Sequence, residues 1–213
     1  MNEPVLTTLD DLSRVARCHA SAFPQAMVNK LGRRAVQKML EWYVVSDRGV
    51  LFHLEHEGRV VGYCGGIKVH ESGKAGAFTS ISQYAYWDFV RAYLRRPWLM
   101  LHRDNVKKYA GIVRNILIRM GLRRRETPVD ASRQASFRPN WGLVVIGVDQ
   151  EFRGRRLGSL LLEHFERLAR EDGVEMISLS VKADNQTAIS VYDRNGWHIS
   201  KRAGNSVQMQ KVL

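Results

Sequence analysis

The sequence predicts a single α+β domain, an α/β sandwich in which one sheet is flanked by helices and interrupted by a basic helical insertion. Three observations lead there. Two strand-like runs around Glu57-Gly58 read as a hairpin, and a strand–turn–helix–strand pattern fills Leu143 to Val181. The stretch between them turns aromatic-rich, basic and helical in texture. At 213 residues the chain suffices for one sizeable core and is short for two ordinary domains, so residues 1–213 are read as one domain with the insertion at about 71–138.

The elements follow in order. Thr8 and Asp11 mark a helix start, because short polar side chains satisfy the free N–H groups of a first turn. Leu12, Val15, Ala16 and Ala20 then recur at helical spacing up to Phe23-Pro24, and a second helical pattern runs from about Arg33 to Val45. The hairpin strands are Val50 to Glu55 and Arg59 to Gly66. In the insertion, Tyr84 to Leu101 and Val106 to Leu122 read as helices carrying Trp87, Phe89, Tyr93, Trp98, Ile112, Ile116 and Leu117, followed by Arg123-Arg124-Arg125. Leu143 to Val148 is a strand; Leu157, Leu160, Leu161, Phe165 and Leu168 line one face of a helix closed at Gly173. Met176 to Val181 is another strand, and a short helix runs from Asn185 or Gln186 to Asn195-Gly196. Trp197 to Lys201 and Val207 to Leu213 complete the sheet through Ala203-Gly204-Asn205.

Composition narrows the function classes. With 45% hydrophobic and 25% charged residues the chain is globular, neither disordered nor fibrous. No apolar run reaches the roughly 18–20 residues that span a bilayer, and the N-terminus does not read as a signal peptide. Two cysteines, Cys18 and Cys64, lack metal-like spacing and sit in apolar surroundings, so they read as buried small hydrophobes; no metal is expected, and the cytoplasm is the expected location. The net charge of +12 is concentrated: between Arg91 and Arg138, thirteen Lys or Arg face three Asp or Glu, a net +10. Charge localised in this way suits a phosphate-bearing ligand, an acidic partner or an anionic surface, and does not by itself indicate nucleic acid.

The chemistry concentrates between Val148 and Gly196. The turn from Asp149 to Arg156 follows a strand and opens a helix, so unpaired amides at the positive end of a helix dipole face whatever lies before it. Gly154 and Gly158 leave the backbone uncovered, and Arg155 and Arg156 add phosphate donors. Such a turn can equally be a solvated basic loop. However, Arg153-Gly154-Arg155-Arg156-Leu157-Gly158 resembles the acyl-CoA pyrophosphate loop of the GNAT superfamily, Arg/Gln-x-x-Gly-x-Gly/Ala, with Arg156 in place of the middle glycine. Downstream, Asn185, Ala188, Tyr192, Gly196 and Trp197 are similar to that family's Asn-x-x-Ala-x-x-x-Tyr-x-x-x-Gly-Phe, with Trp for Phe. On their own these residues read as a helix cap, a core aromatic and a helix stop. The resemblance covers the C-terminal half and, by element order, the first seventy residues, but not the insertion.

The resemblance implies a mixed, mostly antiparallel central sheet that splays between the strands at Leu143–Val148 and Met176–Val181. It implies acetyl-CoA as co-substrate, its arm held near Ile146, Gly147 and Val148 and braced by Asn185. Its diphosphate would rest on the amides of Arg153, Gly154, Arg155, Arg156, Leu157, Gly158 and Ser159. Tyr192 would be the general acid that protonates the leaving thiolate. Many relatives place a base, Glu, at the position of Gly142; His70, Glu71 and Glu126 are the substitutes the sequence offers. The expected reaction is acetyl transfer to a primary amine of a small molecule. His19-Ala20-Ser21-Ala22-Phe23-Pro24 and Leu31-Gly32-Arg33-Arg34 resemble GNAT members of bacterial glycan synthesis, implying an amino sugar, free or nucleotide-linked. The alternatives are a peptide or protein acetyltransferase and a non-catalytic or membrane-peripheral CoA-binding protein. In the last, Trp98, Leu99, Met100, Leu101, Ile112, Ile116 and Leu117 would form a basic amphipathic surface. A monomer or homodimer is expected, with no nucleic-acid partner.

Overall fold

Seven strands form one sheet: β1 (Val5–Leu6), β2 (Gly49–His56), β3 (Arg59–Val69), β4 (Asn140–Val148), β5 (Met176–Lys182), β6 (His198–Ala203) and β7 (Ser206–Val212). Their spatial order is β1-β2-β3-β4-β5-β7-β6, and every neighbouring pair is antiparallel except β4 with β5. The structure is a computed structural model that describes residues 3–70, 76–101 and 138–213. Its helices are α1 (Leu12–Ala22), α2 (Met27–Leu31), α3 (Arg33–Val45), α4 (Ala77–Tyr84), α5 (Tyr86–Arg95), α6 (Leu157–Glu171) and α7 (Gln186–Arg194). The mixed, mostly antiparallel sheet between helical layers is the architecture expected from the sequence.

Alternation along the strands divides the interior into two cores. On one face α6 buries Leu157, Leu161 and Phe165 against Phe52, Trp141, Ile177 and Met209. On the other, α1 and α3 bury Val15, Leu40 and Tyr43 against Leu51, Tyr63 and Ile67. Behind the first core, Lys211 Nζ donates to both carboxylate oxygens of Glu166 (2.8 and 2.7 Å) and to the carbonyl of Asn195 (2.7 Å), tying β7, α6 and the end of α7 together. At the far edge, the Arg14 guanidinium pairs with Asp11 and Glu55 while Thr7 bonds His53, so this cluster links α1 to β2 and to the residue that follows β1.

Three details depart from the sequence pattern. Ala20 is exposed, whereas Cys18 and His19 are buried, because α1 lies between β3 and α3 and buries a stripe wider than the apolar positions alone define. The helical run expected from Tyr84 begins at Ala77, breaks at Ala85 and ends at Arg96, where the following Pro97 disfavours helical geometry. Pro97–Leu101 continues as a 3₁₀ turn. Leu99, read as part of an exposed apolar surface, is buried with Leu31 and Ala35. Phe89, Ala92 and Tyr93 pack against that group, leaving Trp87, Leu94 and Trp98 exposed. α5 is fastened by Arg34 to Asp88 (3.0 Å) and by Arg96 to the Lys30 carbonyl (2.6 Å). The expected helix Val106 to Leu122 lies outside the described residues. Among those described, no helix is long and apolar enough to cross a membrane.

His19 is the most consequential buried polar group. Its Nδ1 shares a 2.5 Å hydrogen bond with the Tyr63 hydroxyl, and burial pushes its pKa down to about 4. Unfolded, the imidazole takes a proton near its ordinary value; folded, it resists. The stabilisation from keeping it neutral is therefore complete above about pH 6.5 and is lost as pH falls towards 4. Urea unfolding should show about 2 kcal/mol less stability at pH 5 than at pH 7 from this group, and His19→Asn should flatten that slope.

Candidate active site

The two central strands part company. β4 and β5 pair at only three rungs, Trp141 with Ile177, Gly142 with Ser178, and Leu143 with Leu179. Past Leu143, β4 stays bonded to β3 as far as Val148, and past Leu179, β5 stays bonded to β7 as far as Lys182. The cause is an extra residue. In the β3–β4 register Gly66 faces Leu143 and Gly65 faces Val145, so Val144 has no partner, and a bulge of this kind bends and twists its strand. The bulge also resets the alternation: Trp141 and Leu143 face the α6 core, Val145 faces α1, and Ile146 and Val148 return to the α6 side. Both inner edges of the resulting fork carry backbone groups that no strand satisfies.

The turn at the mouth of the fork is held from three sides. Asp149, almost fully buried, accepts from the Glu151 amide (3.1 Å) and from Arg59 (2.7 Å). Burial raises its pKa, yet the Arg59, Glu151 and Ser21 hydrogen bonds win and hold it below the usual carboxylate range. Arg153 Nη2 donates to the Ala22 carbonyl at the end of α1 (2.7 Å). The Arg155 guanidinium lies 4.9 Å from the centre of the Phe152 ring. Gly154 and Arg156 both take positive φ, +76° and +59°, and no side chain caps α6. The position where the resemblance places a glycine is thus one that demands left-handed backbone, and Arg156 adopts it at the steric cost an L-residue meets there. The amides of Leu157, Gly158 and Ser159 begin α6 without a capping side chain, at the positive end of its dipole.

Gly147 lies on β4, while Asn185 and Tyr192 belong to α7, which follows β5. Gly147 has a packing reason to be glycine: a Cβ there would lie 2.8 Å from both the Phe23 and the Tyr63 rings. Asn185 Oδ1 accepts from the Ala188 amide (3.2 Å) and caps α7. Tyr192 packs in the α6-side core, its ring 5.9 Å from that of Trp197, and burial, with the nearby Cys64 thiol second, pushes its pKa up to about 12. Cys18 and Cys64 are free, buried and raised well out of the thiolate range, so neither is a ready nucleophile. His70 is turned away: its Nε2 lies 3.2 Å from Asp172, whose carboxylate also accepts from Trp141 Nε1 on the α6 side. Glu71 and Glu126 lie outside the described residues. Sequence reasoning missed Arg59; no local motif marks it, since its partners Asp149 and Glu151 lie on the far side of the chain from the hairpin.

The forked sheet thus stands over an uncapped helix start, with the half-buried Tyr192 packed against the α6-side core. Residues 16–197 match the Acetyltransferase (GNAT) family, and the chain belongs to that family. A 62-residue stretch is 37% identical to the mycothiol acetyltransferase of Propionibacterium freudenreichii, covering 29% of this chain and 20% of that protein. A 67-residue stretch is 36% identical to the protein named uncharacterized N-acetyltransferase YdgE of Bacillus subtilis, covering 32% of this chain and 40% of the other. The matched stretches thus span less than half the length of these relatives. The fold is shared with the PaiA N-acetyltransferase of Thermoplasma acidophilum, solved in complex with coenzyme A, at a TM-score of 0.60 and 10% identity over all of both chains.

Two substitutions in the loop should shift stability in opposite directions. Arg156→Gly should raise the unfolding free energy by about 0.5–1 kcal/mol, since relief of the left-handed strain exceeds the added chain entropy. Gly154→Ala, at +76° with nothing within 4 Å of its added Cβ, should lower it by about 1 kcal/mol. Urea titration of both variants checks the pair.

Proposed function

We propose that the chain transfers an acetyl group from acetyl-CoA to the primary amine of a small molecule. The observation that carries this reading is the fork: an extended arm with two amides fits between β4 and β5 much as an added strand would. In this reading the unpaired edge around Ile146, Gly147 and Val148 holds the pantetheine arm, and Asn185 braces the opposite side. The amides from Arg153 to Ser159 take the diphosphate, aided by the side chains of Arg155 and Arg156. Arg153 serves differently from its neighbours, because its guanidinium is already committed to the Ala22 carbonyl and so fixes the loop.

The chemistry follows from the two faces of the fork. A neutral amine attacks the thioester carbon, the carbon–sulfur bond breaks, the departing thiolate takes the Tyr192 proton, and the proton shed by the attacking nitrogen passes through solvent to restore the phenol. A backbone N–H on the free edge of β4 stabilises the oxyanion of the tetrahedral intermediate. With a pKa near 12, Tyr192 holds its proton at any working pH. No carboxylate stands at Gly142, so the reading assigns no protein base and has the amine arrive unprotonated.

Turnover of Tyr192→Phe should fall at least about 10²-fold while its CoA affinity stays within about twofold of wild type, as measured by thiol release and calorimetry. Equal small effects on both would remove the phenol from the reaction. In the wild type, kcat/KM should climb with pH as the amine loses its proton and show no alkaline decline below about pH 10.

A second reading, contact with an anionic surface, draws on the exposure of Trp87, Leu94 and Trp98 beside Arg91 and Arg95. Co-sedimentation with anionic vesicles at low salt tests it, and absence of binding there removes it.

A further inference from the structure

A cavity of about 260 Å³ opens at the closed end of the fork, on the face away from Tyr192. Its floor is set by register. Gly142 faces Ser178 across β4–β5, Ser178 faces Gln210 across β5–β7, and Ser180 faces Gln208 one step further along. The residues between them, Ile177, Leu179, Val207 and Met209, point into the α6 core, so the four polar side chains stand together on the other face as a two-by-two grid. Among the described residues that line the cavity, none is ionisable. Gly142 adds no side chain, and its Cβ would point to this same α1 side, 3.1 Å from Ile67 Cγ2, so the grid meets bare backbone at the last paired rungs.

The chemistry of that floor selects its ligand. Ser178 Oγ donates to Asn140 Oδ1 (3.4 Å) and keeps its lone pairs for a ligand, while the Ser180 hydroxyl and the two glutamine amides can both donate and accept, which matches groups that do the same, hydroxyls above all. A floor without carboxylates offers no counter-charge to a polycation, so polyamines and lysine-rich peptides gain nothing from it. Beyond the grid, β6 places His198 opposite Gln210 and Lys201 opposite Gln208, both exposed, where an anionic substituent on the ligand would end. We propose that this grid is the acceptor subsite and that the acceptor is an amino sugar, either free or carried on a nucleotide. The inference rests on the acetyl-transfer reading: an amine lying on the grid meets the thioester from the open face while Tyr192 serves the sulfur from the helical face.

Initial rates with acetyl-CoA test it against glucosamine, a uridine-diphosphate-linked amino sugar, spermidine, a lysine-rich peptide and cyclohexylamine, a ring amine without hydroxyls. The expected result is an amino sugar preferred over spermidine and the peptide by at least about tenfold in kcat/KM. If the nucleotide-linked sugar is the better of the two and loses that advantage at high salt, the cationic edge on β6 is reading the phosphates. If the two sugars are equal, the grid alone selects. Gln208→Leu and Gln210→Leu should each lower the ratio of amino-sugar to cyclohexylamine kcat/KM by about five- to tenfold, with CoA affinity kept as the check on folding. A preference for spermidine or peptide, or variants that weaken all amines alike, overturns the inference. Failure of the wild type to bind CoA would sink the acetyl-transfer reading itself; binding of CoA with indifference to amino sugars would sink the subsite alone.

Discussion

Past the rung of Leu143 and Leu179 the central strands are held only from outside, β4 by β3 and β5 by β7, and everything proposed for the site depends on that separation. One unpartnered residue, Val144, is enough to produce it, because a strand that gains a residue against a single neighbour must bend away from the other. The gap cannot close by relaxation: Ile146 and Val148 are anchored in the α6 core and Val181 in the same core from the β5 side. Nor does the far side yield easily, since Lys211 binds the buried Glu166 and the end of α7 at one point. The backbone polarity inside the fork is therefore exposed by construction, a standing invitation to an extended chain with amides of its own.

The loop at its mouth owes its shape to α1. Phe23 fits where Gly147 has no side chain, Tyr63 holds His19, and the last carbonyl of the helix receives Arg153. Arg59 reaches from the hairpin to Asp149 and Glu151 and completes the frame. With Asp149 and Arg153 fastened to the protein, the loop can present amides without reorganising, and preorganised dipoles are what make such a contact effective. The buried aromatic and imidazole groups behind it look like core packing, yet they fix the position of the loop backbone.

Much of this was legible from residue patterns, and the boundary between what was and what was not follows the range of the interactions. The bounds of α3, the capping of α7 by Asn185 and the strand–turn–helix around Gly154 depend on neighbours a few residues away, and their signals are correspondingly plain. The bulge at Val144 is hidden, because Val144-Val145-Ile146 reads as strand whether or not one residue is skipped. His19 lies off the apolar stripe of Leu12, Val15, Ala16 and Ala20, and only Tyr63, forty-four positions away, makes it interior. The serine and glutamine positions alternate visibly with apolar ones along β5 and β7, but nothing local tells that the two strands lie side by side at the end of the fork. Arg156 shows the opposite case: it stands where the resemblance has a glycine, while the backbone there keeps the left-handed conformation regardless.

The place where the insertion joins the sheet carries one more consequence. Val69 and Asn140 sit directly across from each other in antiparallel register, so β3 ends and β4 begins at one rung. Nothing in the register of β3 with β4 depends on how many residues are spliced between those two positions, since a closed loop's entropy grows only with the logarithm of its length. Length can therefore vary between those two positions while the β3–β4 register keeps its alignment.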